Sequence, residues 1–291
     1  MHAHTPLPLR GKTALVTGVS RRRGIGFAVA AELARLGADV FVHHYSPHDA
    51  DQPWGTDDLD AVRDALRAEL TPGARLGDLA ADLRDAASIP RVIAAAHALT
   101  GRLDILVCNQ ALSGGDGAIL DMTAERLDAH WQTNARSTLL LTREFAALHT
   151  GTTPPARQPG ERIGRSEPFA APTGRVFWMT SGQIHGPMRG EVAYAASKAA
   201  LAGVTPTVAA ELLDLGIVLN TIDPGPVDTG YLDPETADRP LDEILAFVRA
   251  TPFGRFGEPA DPARLIGWLS TDAGAWVVGQ VLSTDGGMRL A

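Results

Sequence analysis

Along this 291-residue chain, short runs of consecutive apolar residues alternate with longer stretches in which apolar residues recur every three or four positions. The short runs, at 13–17, 40–43, 76–83, 103–108, 175–180, 217–222 and 281–283, each predict a strand, the third being the weakest. Helical periodicity fills the spaces between them, at 24–36, 59–70, 89–99, 124–148, 193–213, 241–249 and 262–269. Strands that are apolar throughout, with no polar alternation, belong to a sheet covered on both faces. Strand following helix in this rhythm predicts an α/β fold. The expectation is a single doubly wound Rossmann-type parallel sheet of about seven strands, helices on both faces, in one domain spanning 1–291.

Two stretches break the rhythm. Residues 149–174 are rich in Pro, Gly, Thr and Arg and have no apolar period. That is too long for a structureless loop inside a compact domain, so an insertion is expected between a helix and the fifth strand, either protruding or disordered. Residues 46–58 form a smaller polar excursion. Residues 1–9 read as a frayed lead-in without the apolar core of a signal peptide. Pro206 falls inside the helix at 193–213 and should kink it, because proline removes a backbone donor.

Composition narrows the function classes. Hydrophobic residues make up 45% of the chain, ample for a buried core. A formal net charge of −8 argues against a nucleic-acid or anionic-membrane partner, and the run Arg21-Arg22-Arg23 is too short to reverse that. No apolar stretch has the length to cross a bilayer. One cysteine, Cys108, excludes an internal disulfide framework and fits a reducing, cytoplasmic setting; it reads as a small buried hydrophobe. His43, His44 and His48 cluster without a Cys or carboxylate partner at ligand spacing, so no metal site is expected.

Lys12 and Lys198 are the two lysines among 26 basic residues. Where arginine serves almost everywhere, a lysine suggests a task that a guanidinium fork does badly. Lys198 follows Tyr194 by four positions, and Tyr194 follows Ser181 by thirteen. Four residues apart on one helix, Tyr194 and Lys198 share a face. A compact ammonium can bond two ribose hydroxyls and favour ionisation of a nearby phenol, whose free pKa of ~10 is poorly matched to neutral pH. Ser181, at the end of the fifth strand, can hydrogen-bond an oxygen on which charge develops. Together the three predict a proton-donating site beside a nucleotide sugar.

The first strand runs into Thr17-Gly18-Val19-Ser20-Arg21-Arg22-Arg23-Gly24-Ile25-Gly26 and then a helix. Glycines at such a turn let backbone approach a pyrophosphate, and the helix start supplies amide donors. This turn resembles the T-G-x-x-x-G-x-G pattern of the short-chain dehydrogenase/reductase family, with two extra residues before Gly24. Other segments are similar to that family in order. Asp82 follows the third strand; Cys108-Asn109-Gln110-Ala111 stands loosely in place of N-N-A-G. Asn134 lies in the long helix, and Ser181, Tyr194 and Lys198 fit Ser…Y-x-x-x-K. Asp223-Pro224-Gly225-Pro226-Val227-Asp228-Thr229 resembles the loop after the sixth strand. Phe253 to Pro259 and Asp285-Gly286-Gly287 are similar to the C-terminal region. The likeness covers about residues 10 to 288 apart from the insertion, and is nearest the bacterial 3-oxoacyl-carrier-protein reductase-like branch.

The resemblance implies catalytic roles for Asn134, Ser181, Tyr194 and Lys198, with Asn134 holding a relay water. It implies cofactor contacts from Gly18, Ser20, Gly24, Ile25, Gly26, Asp82, Leu83, Asn109, Pro224, Gly225, Val227 and Thr229 as well as Tyr194 and Lys198. At the end of the second strand His44 stands where an acidic side chain would select NAD; with Arg22 and Arg23 on the adjacent turn, the expectation is NADP(H), held through its 2′-phosphate. Gln110, Gln183 and His185 are candidate walls of the substrate pocket. The expected activity is interconversion of a small-molecule ketone and a secondary alcohol, with 3-oxoacyl-thioester reduction as one candidate, in a homo-oligomer (tetramer or dimer). A non-catalytic nucleotide sensor, or an epimerase or dehydratase on the same fold, are the rivals.

Overall fold

The computed structural model describes residues 7–150, 168–233, 235–236 and 241–290. The seven strands form one parallel sheet: β1 (Thr13–Val16), β2 (Asp39–His44), β3 (Leu76–Ala80), β4 (Ile105–Cys108), β5 (Gly174–Met179), β6 (Ile217–Asp223) and β7 (Val281–Ser283), in the order β3-β2-β1-β4-β5-β6-β7. The order reverses between β1 and β4, which opens a crevice at the carboxyl ends of those strands.

Alternation along the strands divides the core. One face receives Ala14, Val16, Val40, Val42, Ile105, Val107, Phe177 and Met179; α1 (Ile25–Arg35), α3 (Leu59–Glu69) and α9 (Ala260–Ser270) cover it. The other receives Leu15, Phe41, Leu106, Cys108, Val176, Trp178 and Leu219, beneath α4 (Ser88–Ala98), α6 (Ser137–Thr150) and α7 (Val192–Asp214). Leu15 and Leu106 are fully buried, and each such side chain contributes roughly 1.5–3 kcal/mol. The two edge strands are only partly buried, which is why β3 carries the weakest apolar signal. The remaining helices are α2 (Ser46–Ala50), α5 (Ala124–His130) and α8 (Leu241–Ala250).

Several local details go beyond the expectations. The helix at 124–148 is two helices, α5 and α6, joined by a π-helical turn at Trp131–Arg136 that carries Asn134; such turns are frequent at functional sites. Leu9, in the lead-in expected to fray, is 2% exposed, and its amide donates to Leu36 O at 3.0 Å. The excursion after β2 is structured as α2 and a turn. Through Pro206 the helix α7 continues unbroken to Asp214. Most of the expected insertion, residues 151–167, lies outside the described residues; its flanks, Thr150 of α6 and Gly174 of β5, stand at the sheet end opposite the crevice.

Candidate active site

At the carboxyl ends of the strands lies a cleft of about 720 Å³. The turn after β1 forms its floor. Gly18 has φ +71°, and a Cβ there would stand 2.9 Å from Gln110 Cα; a Cβ on Gly26 would stand 2.6 Å from both Asn109 Nδ2 and Gly18 O. Asn109 fixes the turn by donating from Nδ2 to Thr17 O (3.0 Å) and Gly18 O (3.2 Å). Gly18, Ser20, Gly24 and Ile25 line the cleft, and Gly24 begins α1 without a side-chain cap, so the helix start offers free amides. A closely approached glycine turn ahead of open helix amides is the arrangement that a dinucleotide pyrophosphate requires.

The three arginines of the turn are each paired with carboxylates. Arg22 bonds Asp57 through Nε at 3.1 Å, and Arg23 bonds Asp233 at 2.5 Å and Asp228 at 3.2 Å. Neither lines the cleft; carboxylates from two neighbouring loops pair with both cations. Arg21 is the arginine of the turn that faces the cleft. It donates to Thr229 O at 2.8 Å, pairs with Asp49 at 3.2 Å, and stands 5.5 Å from the Trp54 ring centroid.

His44 is likewise outside the cleft. The strand period turns it to the other face, where its buried Nε2 lies 3.1 Å from Asp78 Oδ2, and it is the flanking His43 and Tyr45 that reach the cleft. His43 Nε2 lies 2.8 Å from Ala81 O, which only accepts, so that nitrogen carries the proton and Nδ1 is free to accept from Gly18 N–H at 3.4 Å. Burial pushes the His43 imidazole down to about 4, which keeps this clamp neutral. Asp82 and Leu83 line the same end, the Asp82 carboxylate held by Arg84 at 2.7 Å. Across the cleft, Pro224, Gly225, Val227 and Thr229 line the wall after β6. Gly225 has φ +68°, and a Cβ there would meet Asp285 Cα at 2.7 Å, which ties this loop to the Asp285-Gly286-Gly287 turn.

Ser181 and Tyr194 both line the cleft. Ser181 follows β5, and Tyr194 sits in the first turn of α7. Lys198 lies behind them at 2% exposure, its Nζ donating to Met179 O at 2.9 Å and standing 5.7 Å from the Tyr194 ring centroid. Burial pushes its ammonium down to about 8. Thr180 Oγ1 donates to Lys198 O at 2.9 Å and so joins the end of β5 to the helix. Asn134 is fully buried. Its Oδ1 accepts from Leu112 N–H at 2.6 Å, and its Nδ2 donates to Leu112 O at 3.2 Å and Ser197 Oγ at 2.9 Å.

Of the three candidate substrate walls, Gln110 lines the cleft, but its amide is committed inward. Oε1 accepts from Thr17 Oγ1, and Nε2 donates to Ser137 (2.8 Å) and Thr138 (3.0 Å). Gln183 and His185 are not on the cleft. His185 instead bonds Ser283 Oγ at 2.9 Å and meets Asp223 at 3.1 Å. The wall beside Tyr194 contains residues that sequence reasoning missed: Glu125, His130 and Thr133 from α5 and the π turn, and Met188 and Glu191 ahead of α7. A first helical turn opening after the Thr123 cap was the available signal for Glu125. Among the described residues, no group of three or more His, Cys, Asp or Glu could hold a metal ion, and no helix is long and apolar enough to cross a membrane.

A family model described as enoyl-(acyl carrier protein) reductase matches residues 18–153 and 163–289. An uncharacterized oxidoreductase of Bacillus subtilis, YjdA, is 33% identical over 277 residues, covering 95% of this chain and 96% of its own length. The NADPH-dependent aldehyde reductase-like protein, chloroplastic, of Arabidopsis thaliana is 32% identical over 286 residues, 97% of this chain and 96% of the relative. Among solved structures, a short chain dehydrogenase from Burkholderia cenocepacia in complex with NADP superposes with a TM-score of 0.75 at 29% identity, covering 97% of this chain and 99% of that one.

Proposed function

From the premise that this chain belongs to the short-chain dehydrogenase/reductase family, whose members are oxidoreductases, we propose that it interconverts a ketone and a secondary alcohol with NADP(H). The observation that carries the proposal is a phenol on the cleft, Tyr194, backed by the buried ammonium of Lys198. A nicotinamide cofactor, when bound, supplies or takes the hydride. The chain's own residues supply the rest. Tyr194 hydroxyl delivers a proton to the carbonyl oxygen in reduction and takes it back in oxidation. Ser181 hydroxyl bonds that oxygen as charge develops on it. Lys198 sets a positive charge behind the phenol; its Nζ donates one N–H to Met179 O and has further N–H groups for ribose hydroxyls. The glycine turn, tight enough that a Cβ at Gly18 or Gly26 would collide, fits the pyrophosphate.

Three observations favour NADP(H). No carboxylate of β2 itself faces the cleft, where His43 and Tyr45 stand; Arg21 and Arg84 both do. Arg21 would meet a 2′-phosphate by sharing or exchanging its Asp49 partner. Two relatives are named NADPH-dependent, and one structural neighbour is in complex with NADP. Exposed Leu127, Trp131, Trp268 and Trp276 are in keeping with a homo-oligomer. The test is a panel of ketones, aldehydes and 3-oxoacyl thioesters, with NADPH loss as the readout. Turnover that disappears in Tyr194→Phe supports the assignment; product formed without net NADPH loss would point to an epimerase or dehydratase instead.

A further inference from the structure

An α-helix begins with amides that have no partner inside the helix, and the usual remedy is the side chain of its own N-cap residue. In α7 that residue is Glu191, with φ −127° and ψ 47°, and it makes no side-chain cap hydrogen bond. The acceptor comes from another part of the chain. Asp116, in the loop after β4, accepts from Ala193 N–H through Oδ1 at 3.0 Å and from Tyr194 N–H through Oδ2 at 2.7 Å. Gly117 O accepts from Val192 N–H at 3.3 Å, and Asp116 Oδ1 also takes its neighbour Gly117 N–H at 2.7 Å. Three successive amides of the first turn of α7 are thus held by residues 116 and 117. The Asp116 side chain is 6% exposed, and the buried His130 ring stands beside it, Nε2 to Oδ2 at 3.9 Å, with no hydrogen-bond partner for that nitrogen.

The same loop is tied down at its start, where Asn134 brackets both backbone groups of Leu112 and reaches Ser197. Ser197 Oγ in turn donates to Tyr194 O at 2.7 Å. The backbone of Tyr194 is therefore gripped twice, at its amide by Asp116 and at its carbonyl by Ser197. A first helical turn frays most easily, and this one carries a phenol that must meet a carbonyl oxygen within hydrogen-bond reach.

We propose that Asp116 is a positioning residue for Tyr194, a cap supplied from the loop after β4 that fixes where the phenol stands. The inference rests on the reading of Tyr194 as the acid. The chemistry asks for a carboxylate: two oxygens meet two amides, and negative charge is favourable at a helix start. An asparagine offers one oxygen and turns a donor toward the second amide. An alanine offers nothing.

The test compares Asp116→Ala, Asp116→Asn and Tyr194→Phe with the parent. The readouts are amide hydrogen exchange across α7, kcat and KM for a carbonyl substrate from the panel, and the Kd of NADPH. In Asp116→Ala, exchange at residues 193 and 194 should quicken by roughly 2- to 30-fold, the effect of a lost cap, with the amides from Leu201 onward unchanged. The kcat should fall about 10- to 100-fold, as small misplacements of a reacting group do, while the NADPH Kd stays within about threefold. Asp116→Asn should fall between, and it carries the same readouts should the alanine variant not fold. Unchanged exchange at 193 and 194 would overturn the cap. Faster exchange with kcat within about twofold of the parent would overturn the positioning role. Loss of kcat and NADPH affinity in equal proportion, with faster exchange throughout the chain, would reduce Asp116 to a structural residue. Parent-like turnover in Tyr194→Phe would remove the acid assignment while the exchange data still report on the cap.

Discussion

Lys198→Met should make the protein more stable and leave it inactive. The Lys198 ammonium is 2% exposed, and the cysteine near it, Cys108, has a thiol that burial pushes upward, so no thiolate balances the charge at neutral pH. Burial lowers Lys198 from 10.5 to about 8. That difference, at ~1.4 kcal/mol per pH unit, is a cost of about 3 kcal/mol. Below about pH 8 both folded and unfolded chains hold the proton and the cost is fully present. Between about 8 and 10.5 the unfolded chain binds more protons than the folded one, so stability rises with pH; above 10.5 the cost is gone. Methionine has similar volume and no charge, but it leaves Met179 O without its donor, a loss of about 1 kcal/mol. The expected net gain at neutral pH is about 2 kcal/mol. Denaturant unfolding of both proteins without cofactor, from about pH 7 to pH 10, isolates the lysine, because every other titrating group is shared. The gap should shrink steadily above about pH 8. A methionine variant less stable than the parent at pH 7, or a gap that ignores pH, would refute the reasoning.

Tyr194→Phe should lower turnover by roughly two to four decades while the NADPH Kd stays near the parent value; more than a tenth of the parent rate would exclude the phenol as the acid. Arg21→Gln should weaken NADPH more than NADH, whereas Arg22→Gln, whose guanidinium bonds Asp57 away from the cleft, should leave the ratio of the two dissociation constants unchanged. Excision of residues 152–166, joined by a short linker, should leave folding and turnover near those of the parent, because Thr150 and Gly174 flank the sheet end opposite the cleft; circular dichroism and the NADPH assay report both.

The strand sequence was legible wherever burial on both faces made the chain continuously apolar, as in Leu103–Cys108, and weak where a strand lies at the edge, as in β3. The glycine turn and Tyr194–Lys198 were legible because their geometry is local: a positive φ, a missing Cβ, four residues on one helix. What escaped depends on partners far along the chain. The carboxylate partners of Arg22 and Arg23, which are Asp57, Asp228 and Asp233, come from other loops. His44 is one step of strand period from the cleft, and a one-residue error turns a side chain to the opposite face. His185 directly follows the short helical turn after Ser181, close enough in sequence to suggest the pocket, yet it faces Asp223 and Ser283. Asp116 lies in a polar loop with no period, and its meaning exists only once α7 has folded against it.

The knot beneath the cleft, where Thr17, Asn109 and Gln110 meet Ser137 and Thr138, separates what this protein can change from what it cannot. The Gln110 amide and the Thr17, Ser137 and Thr138 hydroxyls are each paired there, and a methyl group at Gly18 or Gly26 would collide with the floor. A substitution in the floor therefore unsettles several residues at once. The rim is assembled differently: Met188, Glu125 and Tyr231 reach the cleft from separate segments. New substrates, whether found by natural variation or by directed mutation, are to be sought by exchanging rim residues one at a time above a foundation left untouched.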